Sequence, residues 1–440
     1  MDKTIKITTP SNLLGVVSRR MFLCIALFGL CFLCCSCNSP DNQFASPTES
    51  ASRTESYPLE LIKVRAIEVP DLYYSFRNNN GGDKLVGLGM NAQEELATLY
   101  LYNPKTRDLE TLYSCPNGYH ITNSASDPYW IVWVESNEEY DFGGTEAYNW
   151  SMKAMNVADR RIHEVDAGIT PKRSDVLGFR YIPDEMSISL NKLIYCKTLV
   201  EDRNQTASQV ICYMLDSQVG EVIQAIDYVD VSEEWLKECS IYNNKVVWCK
   251  MSICNDDNDF RMSHYKYADI YLYDCDTRQV EQLTSGDYYF NPFLFEDKLA
   301  LIRMPQTRPD QYVGDGEVAF MDLKTRDIEI VADRYSNFYE TNIIGEDIAR
   351  GFPIINARYI SWSNTFPNRN LVDYHNNKMV ALELVDFNWV PQDPTRADEY
   401  EINIVCLYDD AVLIQVNYTG ENTSSYDYES LTKTFYVELP

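Results

Sequence analysis

From about residue 59 to its end, the chain alternates short apolar runs with polar turns, and the runs recur at long, regular intervals. One series reads KLVGLGM from Lys84, WIVWVE from Trp130, KLIYCK from Lys192, KVVWCK from Lys245, KLALIR from Lys298, RYISWS from Arg358 and AVLIQV from Ala411, with starts 46 to 62 residues apart. Each run is too short for a helix and too continuous for a sheet with one wet face. It reads as a strand buried on both sides.

A second series runs in step with the first. YLYNPKTRDLETL (Tyr100–Leu112) returns as YLYDCDTRQVEQL (Tyr271–Leu283), with variants KAMNVADRRIHEV from Lys153, AFMDLKTRDIEIV from Ala319 and a weaker CYMLDSQVGEVIQAI from Cys212. An Asx residue marks each turn: Asn103, Asn156, Asp216, Asp274 and Asp322. Its short side chain can accept hydrogen bonds from the backbone just ahead and close a tight hairpin. Doubly buried strands at this period predict small four-stranded sheets packed face to face, an all-β fold that is a seven-bladed β-propeller. The final unit supplies EINIVCLY, AVLIQV and TKTFYVEL and then lacks an outer strand, while LELIKVRAIEV (Leu59–Val69) stands unassigned before the first unit. That N-terminal strand is expected to complete the last blade and close the ring.

The start of the chain has a different character. A basic stretch ending at Arg19 and Arg20 precedes an apolar run, Met21–Cys35, that is short for a membrane span. Residues 1–36 read as an export signal of lipoprotein type and residues 37–56, rich in Ser, Thr, Pro and Glu, as a flexible linker. The propeller is expected over residues 57–440. LCCSCNSP resembles the lipobox of bacterial lipoproteins, which implies lipidation of Cys37, although Cys34 stands where Leu is usual and Cys35 is a second candidate. SRRMFLC resembles the twin-arginine export motif. The expected location is extracytoplasmic, anchored to the bacterial cell membrane.

The repeat itself is similar to the extracytoplasmic propellers of the TolB C-terminal domain: IYLYDCDTRQVEQLT (Ile270–Thr284) fits the second half of that repeat, with Arg278 where Gly is common. FED before Lys298 and YNN before Lys245 depart from its Pro-Asp-Gly half, and seven units depart from TolB's six. The resemblance implies a fold and an association role in the cell envelope.

Composition narrows the chemistry. With 66 acidic against 38 basic residues and a net charge of −28, the surface repels phosphate backbones, so no nucleic-acid partner is expected. Only four His occur, and there is no HExxH pair, no GxSxG elbow and no phosphate-cradling glycine loop. His163, on an outer strand, reads as solvent-exposed. Asp256, Asp257 and Asp259 could hold Ca²⁺ but lack the Gly and terminal Glu of an EF-hand loop, so no cofactor is assigned. The cysteines after Cys37 read as buried thiols, with a Cys196–Cys212 disulfide between neighbouring strands of one unit as the alternative. Inner strands LYYSF, GFRYIP and GDYYFNP would place Tyr73, Arg180, Tyr181 and Tyr289 at the channel mouth, an aromatic and polar rim suited to a sugar or peptide. The expectation is a monomeric binding or scaffold module for an envelope protein, peptide or glycan. The alternative is a propeller-type polysaccharide lyase or glycoside hydrolase with its site at the channel mouth.

Overall fold

The computed structural model describes residues 58–74, 84–91, 95–137, 148–170, 182–183, 185–201, 204–227, 234–254, 264–305, 316–332, 353–363, 369–387, 399–419 and 432–440. The export signal, Cys37 and the linker lie outside them, as do Arg180, Tyr181 and the acidic run of Asp256, Asp257 and Asp259.

Among the described residues every regular element is a strand. Two short ones, β1 (Leu59–Val64) and β2 (Ala66–Glu68), come first. Antiparallel four-stranded meanders follow. The first holds β3 (Tyr73–Tyr74), β4 (Leu85–Met90), β5 (Leu96–Asn103) and β6 (Asp108–Ser114). The next holds β7 (His120–Ser126), β8 (Trp130–Ser136), β9 (Tyr148–Asn156) and β10 (Ile162–Thr170). Then come β11 (Met186–Ser189), β12 (Lys192–Glu201), β13 (Asn204–Met214) and β14 (Val219–Asp227). β15 (Glu234–Tyr242), β16 (Lys245–Cys254), β17 (His264–Asp274) and β18 (Gln279–Gln282) touch β19 (Tyr288–Phe295), β20 (Lys298–Met304), β21 (Glu317–Asp322) and β22 (Ile328–Ala332) through one parallel pair, Ala268 with Tyr288. β23 (Ile354–Ile355), β24 (Tyr359–Ser363), β25 (Arg369–Asp373) and β26 (Lys378–Leu384) form another sheet, and β27 (Glu399–Leu407), β28 (Ala411–Thr419) and β29 (Thr432–Glu438) the last. This is the β-propeller arrangement, each sheet a meander whose second strand is one of the continuous apolar runs.

Those second strands are buried on both faces because sheets flank them on both sides. Leu85, Val86, Ile131, Val132, Ile194, Val246, Leu299, Ile360 and Val412 are all fully buried. Successive sheets share apolar clusters. Val86 and Leu88 meet Ile131 and Trp133, Val132 and Trp150 meet Leu193 and Tyr213, and Ile194 meets Val246 and Trp248. Val247 and Ile270 meet Leu299 and Met321, Ile302 and Val318 meet Ile360 and Trp362, and Tyr359 and Val380 meet Val412 and Phe435. The last of them joins Leu413 and Tyr436 to Tyr74, Leu85 and Tyr102 of the first sheet.

The hairpin turns follow the Asx pattern with one exception. Asn103 Oδ1 accepts from the Lys105 and Thr106 amides (2.9 and 3.1 Å), and Asn156, Asp274 and Asp322 act alike. In the β13–β14 hairpin Met214 holds that register position, opposite Val219, so Asp216 falls inside the turn. Asp373, unmarked in the sequence series, caps the β25–β26 turn through the His375 and Asn376 amides. Each turn ends in the left-handed region, at Arg107 (φ 63°), Arg160, Gln218, Arg278, Arg326 and Asn377. Glycine is ordinarily favoured there. Two of the arginines reach the preceding sheet, Arg160 to Glu110 (2.8 Å) and Arg326 to Glu281 (2.6 Å).

The segment Leu59–Val69 behaves differently from the single strand expected. Only Ala66–Glu68 pairs with β29, antiparallel, and Val69 N donates to Thr434 O (3.1 Å). Leu59–Val64 instead adds in parallel to β26, outside the neighbouring sheet. Its alternation explains the choice: Ile62 and Val64 turn into the core while Leu59 and Leu61 stay 62% and 58% exposed.

Candidate functional site

The inner strands converge on a cavity of about 300 Å³, bordered by the ends of β7, β11, β15, β19, β23 and β27 and the turns that follow them. What shapes it is irregularity in strands whose outward faces are regular. The β15 register shifts between Lys237 and Ser240, and the β19 register between Phe290 and Phe293. Glu238 (φ 58°) and Asn291 (φ 51°) sit in these bulges with left-handed backbones. A bulge re-aims a side chain, and a non-glycine residue in this conformation carries a strain that the surrounding structure must hold.

Side chains of one inner strand hold the backbone of the next. Glu185 accepts from the Glu238 amide, and the Glu238 carboxylate accepts from the Asn291 amide. With its amide nitrogen facing Glu238, Asn291 donates to both carboxylate oxygens (2.8 and 3.2 Å). Ser187 Oγ accepts from Ile241 N (3.2 Å), Ser240 Oγ from Leu294 N (3.1 Å) and Ser189 Oγ from Asn243 N (2.9 Å). Further round, Trp130 Nε1 donates to Asn191 Oδ1 (2.9 Å), and Asn356 Nδ2 to Tyr408 O (2.7 Å). These contacts fix the wall and spend part of its polar capacity on the backbone.

Asp127 is the wall's unusual member. Its Oδ1 caps the β7–β8 turn, accepting from the Tyr129 and Trp130 amides at 2.8 Å each. The residue is only 6% exposed, and the Leu190 amide stands close enough to lower its pKa alongside the Tyr129 and Trp130 amides. Burial pushes the Asp127 carboxyl above its ordinary range. The rim is apolar and aromatic: Tyr129 and Leu190 are 57% and 50% exposed, and Tyr242 packs on Phe295 with ring centroids 4.7 Å apart. Burial, then the charges of Glu296 and Asp409, push the Tyr242 phenol up, so it stays a neutral donor.

The two described sequence candidates, Tyr73 and Tyr289, lie elsewhere in the fold. Tyr73 is 58% exposed on β3 opposite Leu88, and it does not border the cavity. Tyr289 is 4% exposed within the core between the β15–β18 and β19–β22 sheets, its carbonyl accepting from Cys249 Sγ (3.3 Å). The structure therefore does not bring these two together. His163 is half-buried rather than exposed: it meets Trp130 edge-on at 5.7 Å and stacks on Tyr213 at 6.5 Å, and burial lowers its pKa.

Other charged clusters are tied up in pairs between strands. Glu135 takes Lys153 and the Tyr113 hydroxyl (2.7 Å), Asp166 takes Lys197 (2.7 Å) and the Tyr195 hydroxyl (3.1 Å), and Arg303 takes Asp287 (2.8 Å) and Glu317 (3.5 Å). Among the described residues no three metal-ligating side chains gather. Cys115, Cys196, Cys212, Cys239, Cys249, Cys275 and Cys406 are free thiols, and Cys212, Cys239, Cys249 and Cys406 are buried.

No protein-family model and no curated protein sequence matches the chain. Among solved structures, it is similar to the β-propeller domain of the Trilobed protease from Pyrococcus furiosus: 11% identity over 83% of this chain and 95% of that one, TM-score 0.48. It is also similar to an oligogalacturonate lyase from Vibrio parahaemolyticus (14% identity, 86% and 91% coverage, TM-score 0.44). A third is an oligogalacturonate lyase in complex with manganese (10% identity, 88% and 98% coverage, TM-score 0.43).

Proposed function

We propose that this chain is a binding module of the bacterial cell envelope, exported, held to the membrane through a lipidated Cys37, and presenting one face of a TolB-like propeller to a protein, peptide or glycan. The module is a ring of seven blades acting as a monomer, with β2 completing the last blade. Two features support the ring: β2 pairs with β29, and an apolar cluster joins the last sheet to the first. The observation that carries the binding reading is the cavity itself, bordered by the bulged residues Glu238 and Asn291 together with Tyr129 and Tyr242. Concave sites with few oriented polar groups and an apolar lip are where ligands ordinarily bind. Binding rather than turnover is favoured because the Asp127 and Glu238 carboxylates are engaged with backbone amides, and among the described residues no His borders the cavity.

The test is a thermal-shift screen of the full chain in detergent against peptides and oligosaccharides, repeated with Tyr129→Ala and Tyr242→Ala. The expected result is a ligand whose stabilisation disappears in both variants. A hit unaffected by either variant, or turnover of a chromogenic glycoside, would remove the reading.

A further inference from the structure

One contact recurs where successive sheets meet. The residue just after the capping position of an outer hairpin donates its amide to the inner hairpin turn of its own sheet: Val157 to Tyr129 O, Leu215 to Asn191 O, Cys275 to Asn244 O and Leu323 to Asp297 O, each at 2.8 Å, and Tyr374 to Arg358 O at 3.3 Å. Its side chain shares an apolar cluster with a third-strand residue of the sheet before. Leu101 is clustered with Val157, Ala154 with Leu215, Leu272 with Leu323, and Phe320 with Tyr374, ring centroids 5.2 Å apart. Between the β11–β14 and β15–β18 sheets the same two positions hold Cys212 and Cys275. Both are free thiols, and each is the other's side-chain hydrogen-bond partner. Facing strands of packed sheets stand about 10 Å apart, too far for a disulfide. Cys275 escapes that limit because it sits in a turn that packs against the preceding sheet. The pair suggested by the sequence, Cys196 with Cys212, is out of step, since Cys196 stands opposite Val210 and Cys212 opposite Ile194.

Resting on the exported location proposed above, we infer that Cys212 and Cys275 are a disulfide-forming pair that ties the β11–β14 sheet to the β15–β18 sheet. An oxidising compartment outside the cytoplasm supplies the oxidant, a small-molecule or protein disulfide. Cys275, half-buried where Cys212 is buried, is the thiol that such an oxidant can reach. The hydrogen bond from Cys212, opposed by burial and aided by the Lys192 charge, lowers the Cys275 pKa, so this sulfur loses its proton first. Lys192 is held beside the pair by Asn244, whose Oδ1 accepts from Lys192 Nζ (2.7 Å) and whose carbonyl accepts from Cys275 N. The Cys275 thiolate attacks one sulfur of the oxidant and expels the other as a thiol. Cys212 then gives up its proton and attacks Cys275 Sγ, expelling the second thiol. Two protons and two electrons leave the pair, and the oxidant's S–S bond is exchanged for the Cys212–Cys275 bond.

The test is thiol mapping of the full chain in detergent, equilibrated with oxidised or reduced glutathione, quenched with acid, alkylated and read by peptide mass spectrometry. Oxidation should yield a cross-linked peptide pair carrying Cys212 and Cys275, lighter than the separate peptides by the hydrogens lost. It should also raise the melting temperature by about 3 to 5 °C, as expected for closing a loop of roughly 60 residues in a chain of this size. Cys212→Ala and Cys275→Val install the residue types that Ala154 and Val157 already place at equivalent junctions, so both variants should fold. Each should lose the cross-link and the rise in melting temperature, and Cys212→Ala should accumulate a glutathione adduct on Cys275. Cys196→Ser should keep the cross-link. Wild type in which Cys212 and Cys275 both stay open to alkylation in excess oxidised glutathione overturns the inference, as does a cross-link from Cys212 to Cys196. A wild-type reaction that stops at a glutathione adduct on Cys275 overturns it too, because the second displacement has failed. A pair that oxidises in the purified protein but is recovered reduced from alkylated whole cells supports the pairing and counts against the exported location instead. The ligand screen of the cavity is independent of all these outcomes.

Discussion

Val69→Ala measures how firmly the N-terminal segment is built into the sheets. Val69 is five residues beyond the end of β1, 6% exposed, and shares a cluster with Tyr408, Leu413 and Tyr436 near the end of the chain and Tyr74 and Leu85 of the first sheet. The substitution removes two methyl groups without altering the Val69 amide that donates to Thr434 O. At about 0.8 kcal/mol for each buried carbon, plus a cavity that sheets on two sides can only partly collapse, the loss is about 2 kcal/mol. A chain of this size has an unfolding entropy of about 0.8 kcal/mol/K, so the melting temperature should fall by about 2 to 3 °C. Circular dichroism melts of the wild type, Val69→Ala and Leu61→Ala would read this directly. Leu61 is the internal control, on the same segment but 58% exposed, and its truncation should leave the melt unchanged. If both variants melt like the wild type, the segment is not bonded into the sheets as described, and the argument for a closed ring goes with it.

Asp269, 8% exposed, has its carboxyl pushed up to about 6 by burial, against the Thr284 hydroxyl that lowers it. Because the folded protein then holds this proton more tightly than the unfolded chain, the group costs stability progressively as pH rises from about 4 to above 6. The stability difference between Asp269→Asn and wild type should therefore move in the variant's favour by about 1 to 3 kcal/mol between pH 4.5 and 7.5; a difference that does not change with pH would contradict this. The Cys249 thiol, fully buried and raised well above its usual range, should resist iodoacetamide in the native protein at pH 8 and react after denaturation, read by peptide mass mapping. Native labelling there would contradict the packing of the β16 strand. Cys37→Ser should release the chain from the membrane fraction and abolish incorporation of labelled palmitate; a variant that stays membrane-bound would remove the lipid anchor from the proposed function.

The periodic part of the fold was legible because burial on both faces writes itself into composition: KLIYCK, KVVWCK and KLALIR can only be central strands, and they are β12, β16 and β20. The Asx turns were legible for a local reason, a side chain capping its own hairpin, and Asp216 misled because the Met214 position carries that turn without a cap. The cavity was much harder to see. Its polar wall depends on bulges in β15 and β19 that rotate Glu238 and Asn291, and a bulge is a matter of register between strands that no local pattern records. A signal existed in the period: Glu185, Glu238 and Asn291 follow one another at intervals of 53 residues, as Lys192, Lys245 and Lys298 do. Tyr289 does lie on an inner strand, but strand alternation points it into the core and leaves its backbone to Cys249.

The division of Leu59–Val69 between two sheets also has a mechanical side. Any pull on the chain ahead of Leu59 reaches the six-residue parallel pairing with β26 before it reaches β2 and the junction with β29. The β1 pairing therefore has to part before such a load reaches β2, which makes it the element that bears tension first.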